Sequence, residues 1–356
     1  MKWPFRQNRI PIGVDISGRA ISAVQLARVH DTWSTEAAVR LPRTRPGGPI
    51  DCDELKRFRE VLYRQSFVGE EVVVAVPSNQ LMTTVLTLPP RDSGAPLDQI
   101  ARIELARTYE EAPNAFELAW WELPTTEHAK RTAHVMTVGY RHDKANELCD
   151  LFEQAGLRVQ ALDSKAWALV RAIESRSEAP SMITAVLDFE WESAQLALLY
   201  QGIVLYERVL SSCAFGELHA ELTDVLEDDG TMVEYLLDQV GLEALDSNDD
   251  GDPAGLVDAQ RRLAAQFDPI VKDLDESLGY VSRQYPDATF KELLLVGDHA
   301  SVPGLAQHLS DALHIEVNAV PTRELVTCPD ALADTLSNPA LIPALGLAKF
   351  DSREAA

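Results

Sequence analysis

One arrangement occurs twice in this chain and limits its fold more than any other feature: a short apolar strand ending in an aspartate, a tight turn, a returning strand, a second turn and a third strand. The first copy runs Ile12-Gly13-Val14-Asp15-Ile16, turns at Ser17-Gly18-Arg19, returns over 20–26 and continues over 32–41. The second runs over 183–187, closes on Asp188, turns over 189–192, returns over 194–200, turns at Gln201-Gly202 and ends with 203–210. Apolar stretches punctuated by glycine and acidic turn residues predict strands joined as hairpins. Two such units in one chain predict a duplicated α/β fold.

The segments around these units complete two lobes, 9–182 and 183–350. Between the copies, strands are predicted over 72–76, 82–88, 116–123 and 134–140, with helices over 97–109 and 144–155, the second ended by Gly156. This reads as a small α/β module, about 69–145, inserted in the first lobe. A strand over 159–163 and a helix over 165–175 close that lobe. The second lobe holds an acidic helical subdomain, about 215–288, whose long amphipathic helix over 258–285 is expected to break near Pro269. A buried strand over 290–296, a helix over 303–313, a strand over 314–320 and an apolar closing segment over 339–350 follow.

Composition excludes several functions. The net charge of −24 argues against nucleic acid as a main ligand. Between Glu217 and Glu276 there are 18 acidic residues against Arg261, Arg262 and Lys272. That is the pattern of a solvated helical face, or of a dock for a basic partner. No apolar run is long enough to span a bilayer and no signal peptide is present. The four cysteines form no CxxC pair and the eight histidines no metal-binding spacing, as in a reduced cytoplasmic protein without a zinc site. Residues 246–251 match the start of a calcium-binding EF-hand loop, but Val257 stands where the bidentate glutamate belongs, which leaves an acidic loop. Residues 1–12 carry Lys2, Trp3, Phe5, Arg6 and Arg9, a polar terminus or a contact for an anionic membrane surface.

Four motifs, in order, resemble the PilM family of type IV pilus assembly proteins. Residues 13–26 (Gly13-Val14-Asp15-Ile16-Ser17-Gly18-Arg19 and onward) are similar to its first phosphate loop, and Ala185-Val186-Leu187-Asp188-Phe189-Glu190 to its second. Residues 293–305, with Gly297-Asp298 at the turn, resemble its adenosine-side motif, and Pro343-Ala344-Leu345-Gly346-Leu347-Ala348 its C-terminal signature. The resemblance covers about 10–350. It implies an actin-like fold of two ribonuclease-H-like halves around a nucleotide cleft. It also implies capture of the cytoplasmic N-terminal tail of the inner-membrane pilus protein PilN, self-association into a ring or scaffold, and a place at the inner face of the cytoplasmic membrane. Of two related families, GspL proteins continue into a transmembrane helix and FtsA proteins usually end in an amphipathic one. Here residues 351–356 are a short polar tail.

On that template ATP would sit with Mg2+ beside Asp15 and Asp188, Ser17, Gly18 and Arg19 would form one phosphate loop, and Gly297 with Asp298 the adenosine turn. The chain departs from it in chemically meaningful ways. Ser17 replaces a glycine, Ser22 a lysine, Glu190 a second-loop glycine and Asp298 the second adenosine-turn glycine. A carboxylate about 4 Å from an anionic ligand costs roughly 4 kcal/mol at an effective dielectric near 20. The expectation is therefore a degenerate cleft and a protein that binds partners. The alternative is a working actin-fold ATPase, either FtsA-like and polymer-forming or sugar-kinase-like. By analogy with the family, the partner's tail is expected in a groove beside the inserted module, near Val74, Val76, Leu86, Leu88 and Ile103.

Overall fold

The computed structural model describes residues 10–29, 32–124, 132–176, 182–227, 230–243 and 255–350. Three sequence expectations lie outside those residues: the acidic loop over 246–251, the basic terminus before residue 10 and the tail over 351–356.

The two hairpin units become the cores of two five-stranded sheets with the same plan. With strands numbered in chain order, the first sheet is β3-β2-β1-β4-β8, made of Thr32–Pro42, Ala20–Val29, Ile12–Ile16, Glu71–Ala75 and Arg158–Asp163. The second is β11-β10-β9-β12-β13, made of Ile203–Leu210, Ala194–Tyr200, Met182–Phe189, Thr289–Gly297 and Val317–Ala319. In each sheet the three hairpin strands are antiparallel and the two later strands are parallel to the first. β9 and β10 are apolar almost throughout because helices cover both their faces.

The layers follow from the faces. Helices α1 (Cys52–Arg64) and α3 (His142–Gln154) place Leu55, Phe58, Leu62, Leu148 and Phe152 on the outer face of the first sheet. α4 (Lys165–Ile173) and α9 (Ile342–Ala348) lie between the sheets, where Leu169 and Leu345 share one core with Val24 of the first lobe and Val186 and Leu294 of the second. α5 (Phe215–Leu226), α7 (Leu256–Gln284) and α8 (Leu305–Leu313) cover the far face of the second sheet, and the short α6 (Thr231–Tyr235) runs into a π-helical turn over Leu236–Val240.

The third sheet, β5-β7-β6, contains Met82–Leu88, Ala133–Arg141 and Phe116–Glu122, with α2 (Leu97–Thr108) against it. This module is smaller than the sequence implied. β4 pairs inside the first sheet and α3 packs on that sheet, so Glu71–Ala75 and the helix that begins at His142 belong to the lobe.

The long helix also departs from expectation, running unbroken through Pro269. An interior proline costs about 3 kcal/mol. Leu263, Phe267, Ile270 and Leu274 on the same helix are wholly buried, and at about 1.5–3 kcal/mol each they outweigh that cost. α1 was not anticipated at all. Its signal is local: the Asp51 carboxylate accepts from the Glu54 N–H at 2.9 Å, a good N-cap.

Candidate functional site: an ion-paired crevice between the lobes

The aspartate-closed strands β1 and β9 deliver Asp15 and Asp188 to one crevice. A third group enters from α4. Ser164 caps that helix, its Oγ accepting from the Trp167 N–H at 3.2 Å, which aims Lys165, the first helical residue, at the two acids. Lys165 Nζ lies 3.3 Å from Asp15 Oδ1, 3.3 Å from Asp188 Oδ2 and 2.5 Å from Glu190 Oε1. Asp15, Asp188 and Lys165 are almost fully enclosed.

Burial raises the Asp15 carboxyl above its usual range, with Lys165 pulling the other way and Glu190 adding to the rise. Asp188 is pushed up to about 7, again by burial first. Burial also opposes the Lys165 charge, but Asp15, Asp188 and Glu190 outweigh it and hold the ammonium charged. Three carboxylates thus share one lysine.

A second set of contacts ties the turns together. Ser17 Oγ donates to Asp298 Oδ2 at 2.7 Å, and Arg40 Nη2 donates to Asp298 Oδ1 at 2.6 Å. Burial works to raise Asp298, yet Arg40 and the Ser17 hydroxyl bring it below the ordinary carboxylate value. Arg19 reaches across to Glu234 Oε1 at 2.7 Å, and His219 Nε2 lies 3.1 Å from the same oxygen. Glu234 falls to about 2, chiefly through His219 and then Arg19 against the effect of burial. Ser17, Arg19 and Arg40 belong to the first lobe, and Asp298, Glu234 and His219 to the second.

Trp191 fills the middle. A β-carbon on Gly18 would stand 2.3 Å from its Cβ, one on Gly47 3.0 Å from its Nε1 and one on Gly216 2.5 Å from the same nitrogen. These glycines are the surfaces on which the half-buried indole rests. The Gly216 N–H donates to the Trp191 carbonyl at 2.7 Å, and the Arg19 guanidinium stands 5.4 Å from the ring centroid. Gly297 has φ +90°, and a β-carbon there would stand 2.3 Å from the Phe189 carbonyl and 2.4 Å from Asp188 Oδ1, so only glycine lets the loops meet this closely. His299 stacks on Phe215 at 4.0 Å, and burial takes its imidazole down to about 3.

The eight residues singled out from sequence, Asp15, Ser17, Gly18, Arg19, Asp188, Glu190, Gly297 and Asp298, therefore line one crevice. The sequence reading missed Lys165 and Arg40. Lys165 did leave a trace: a cation at the first position of a helix opposes the macrodipole, which favours acids there. Arg40 left none, since a strand arginine is ordinary.

The expected groove residues need correction. Val74, Val76 and Leu88 are buried in the described chain and offer no surface to a peptide. Val74 sits on β4, an interior strand between β1 and β8, and Leu88 packs under Ala101 and Val135. Leu86 is half-buried beside α2, and Ile103 is 56% exposed.

A model of the type IV pilus assembly protein PilM matches residues 13–221. A chain from the structure of a PilM–PilN type IV pilus biogenesis complex superposes with a TM-score of 0.77 at 22% identity, over 95% of this chain and 97% of that one. MreB5 of Spiroplasma citri bound to ADP matches with a TM-score of 0.53 at 10% identity, over 98% and 97%. The ethanolamine utilization protein EutJ from Carboxydothermus hydrogenoformans matches at 0.52 and 14%, over 96% and 89%. A search of curated protein sequences found no match. The duplicated fold is the actin-like one.

Proposed function

The chain belongs to the PilM family of type IV pilus assembly proteins, and we propose that it serves there as a scaffold that captures the cytoplasmic tail of a PilN-like inner-membrane protein without turning over nucleotide. The observation that carries the second half is the Lys165 ammonium between Asp15 and Asp188. A magnesium nucleotide in an actin-like cleft needs those carboxylates for the metal shell and bare glycine backbone for its phosphates. Here the carboxylates are engaged by Lys165, Trp191 covers Gly18, and the Glu190 and Asp298 side chains, paired with Lys165 and Arg40, stand where the template has bare glycine. The residues present do not fit that cofactor.

The scaffold half is supported by family membership and by the superposition, along nearly its whole length, with a chain from a PilM–PilN complex. β5 is an end strand of the module sheet, so an extended tail adds to its main chain and seats apolar side chains between Leu86 and Ile103. No described helix is long and apolar enough to cross a membrane, so a membrane-anchored tail supplies the attachment. The inner face of the cytoplasmic membrane is where such a tail places the protein.

Two titrations test the proposal. The protein with a fluorescent ATP analogue and excess Mg2+ should show no saturable binding below the millimolar range; a micromolar dissociation constant would favour a working ATPase instead. The synthetic N-terminal tail of a PilN-like protein from the same cell should bind with saturation. A tail that does not bind would sink the scaffold reading.

A further inference from the structure

We propose that Lys165 is a tethered replacement for the divalent cation of an actin-like crevice, so that removing its side chain converts Asp15, Asp188 and Glu190 into a divalent-cation site. The inference rests on the degenerate-cleft reading above and adds the identity of the group that occupies the metal's place.

Three carboxylates converge on one point, and Lys165 is the cation that touches all three: Nζ to Asp15 Oδ1 3.3 Å, to Asp188 Oδ2 3.3 Å and to Glu190 Oε1 2.5 Å. Asp15 and Asp188 are buried, and Asp15 Oδ1 and Asp188 Oδ2 have no hydrogen-bond partner beyond this ion pairing. Buried carboxylates held this close repel unless a cation lies among them. An all-oxygen donor set of this kind suits a hard divalent ion.

The spacing explains why an ammonium does the work here. Among the described residues no three His, Cys, Asp or Glu side chains are set to hold a metal as they stand. Magnesium takes its ligands at about 2.0–2.1 Å. The two aspartates stand at 3.3 Å from the central atom, the separation of an ammonium ion pair. The backbone agrees: α4 begins at Lys165 behind the Ser164 cap, so the lysine enters from a fixed helix start. With the lysine gone, the two aspartates relax inward by about 1 Å to reach metal-bonding distance.

The test uses the whole chain and Mn2+ alone, without nucleotide. Electron paramagnetic resonance of free Mn2+ should show no stoichiometric binding to the parent protein at millimolar metal. Lys165→Ala should bind one Mn2+ at least tenfold more tightly, Mg2+ should compete, and its melting temperature should rise with either metal while the parent's does not. Adding Asp15→Asn to Lys165→Ala should abolish the gain. Where Lys165→Ala does not fold in metal-free buffer, Lys165→Met is refolded with and without Mn2+, and recovery only with metal supports the proposal. If neither variant binds Mn2+ or is stabilised by it, the proposal is overturned. Because no nucleotide is present, this result is separate from the ATP titration: a parent protein that binds Mg-ATP defeats the degenerate-cleft reading, whereas a variant indifferent to metal defeats only the role given to Lys165.

Discussion

Trp191 of the second lobe and Gly18 of the first approach so closely that a single methyl group on Gly18 would collide with the tryptophan Cβ at 2.3 Å. The two residues come from the turns that follow the aspartate-closed strands. The crevice is therefore closed by carbon contacts as well as by ion pairs, and the two kinds of closure give different predictions.

Gly18→Ala should lower stability by about 1–3 kcal/mol, the usual cost of overpacking, read as a fall in thermal midpoint. In a Trp191→Gly background the same change should cost under about 0.5 kcal/mol, because the colliding Cβ and indole atoms are gone. Equal costs in both backgrounds would show that Gly18 meets something else.

The Arg40–Asp298 pair crosses the lobes at 2.6 Å, with the Asp298 side chain only 3% exposed. Arg40→Ala strands a buried carboxylate and should cost about 3 kcal/mol in denaturant melts. Asp298→Asn should cost less, since it removes the charge along with the pair and keeps an acceptor for Ser17. A double-mutant cycle with no coupling would mean that solvent replaces Arg40.

Glu207 supplies a pH signature. Burial pushes its carboxyl up to about 7 from an ordinary 4.5, with the amide of Gln195 lowering it in part. The folded state therefore binds this proton more tightly than the unfolded state. The stabilisation from this group is complete below about pH 4.5, declines as pH rises through 7 and is absent above, a swing of up to about 3 kcal/mol. Glu207→Gln should flatten the melting-temperature profile between pH 5 and 8 and raise stability at pH 8. A profile unchanged by the substitution would place the titration elsewhere.

Tail binding separates surface from core. Ile103→Glu should weaken binding of a PilN-like tail at least tenfold while leaving the melting temperature within a degree or two. Leu88→Ala removes buried volume and should cost about 2–5 kcal/mol, affecting binding only through folding. The opposite ranking would move the groove away from α2.

What could be read from the sequence was local. Each hairpin unit carries its turn chemistry and its apolar strands within about thirty residues, so the two sheets, Asp15, Asp188 and the Gly297 turn were legible. What could not be read depends on distance along the chain. Lys165 meets Asp15 from 150 positions away, and Arg40 meets Asp298 from 258. No local pattern encodes either pairing. The fate of Pro269 was hidden for another reason: the rule about proline is correct, but the burial that overrides it exists only after α7 packs. Val74, Val76 and Leu88 were misassigned because apolar residues beside a groove and apolar residues beneath it look alike in one dimension.

The Trp121 indole N–H donates to the Val204 carbonyl at 2.7 Å, its ring packs edge-on against Trp167 at 5.1 Å, and Leu123 and Met136 share the second lobe's core. The inserted module is thus rooted in the first lobe by its chain ends and clamped to the second by its sheet. A tug on the module's outer edge would not swing it like a hinged flap. It would be shared by both halves of the body, as a bracket bolted to two walls spreads a load that one bolt would not hold.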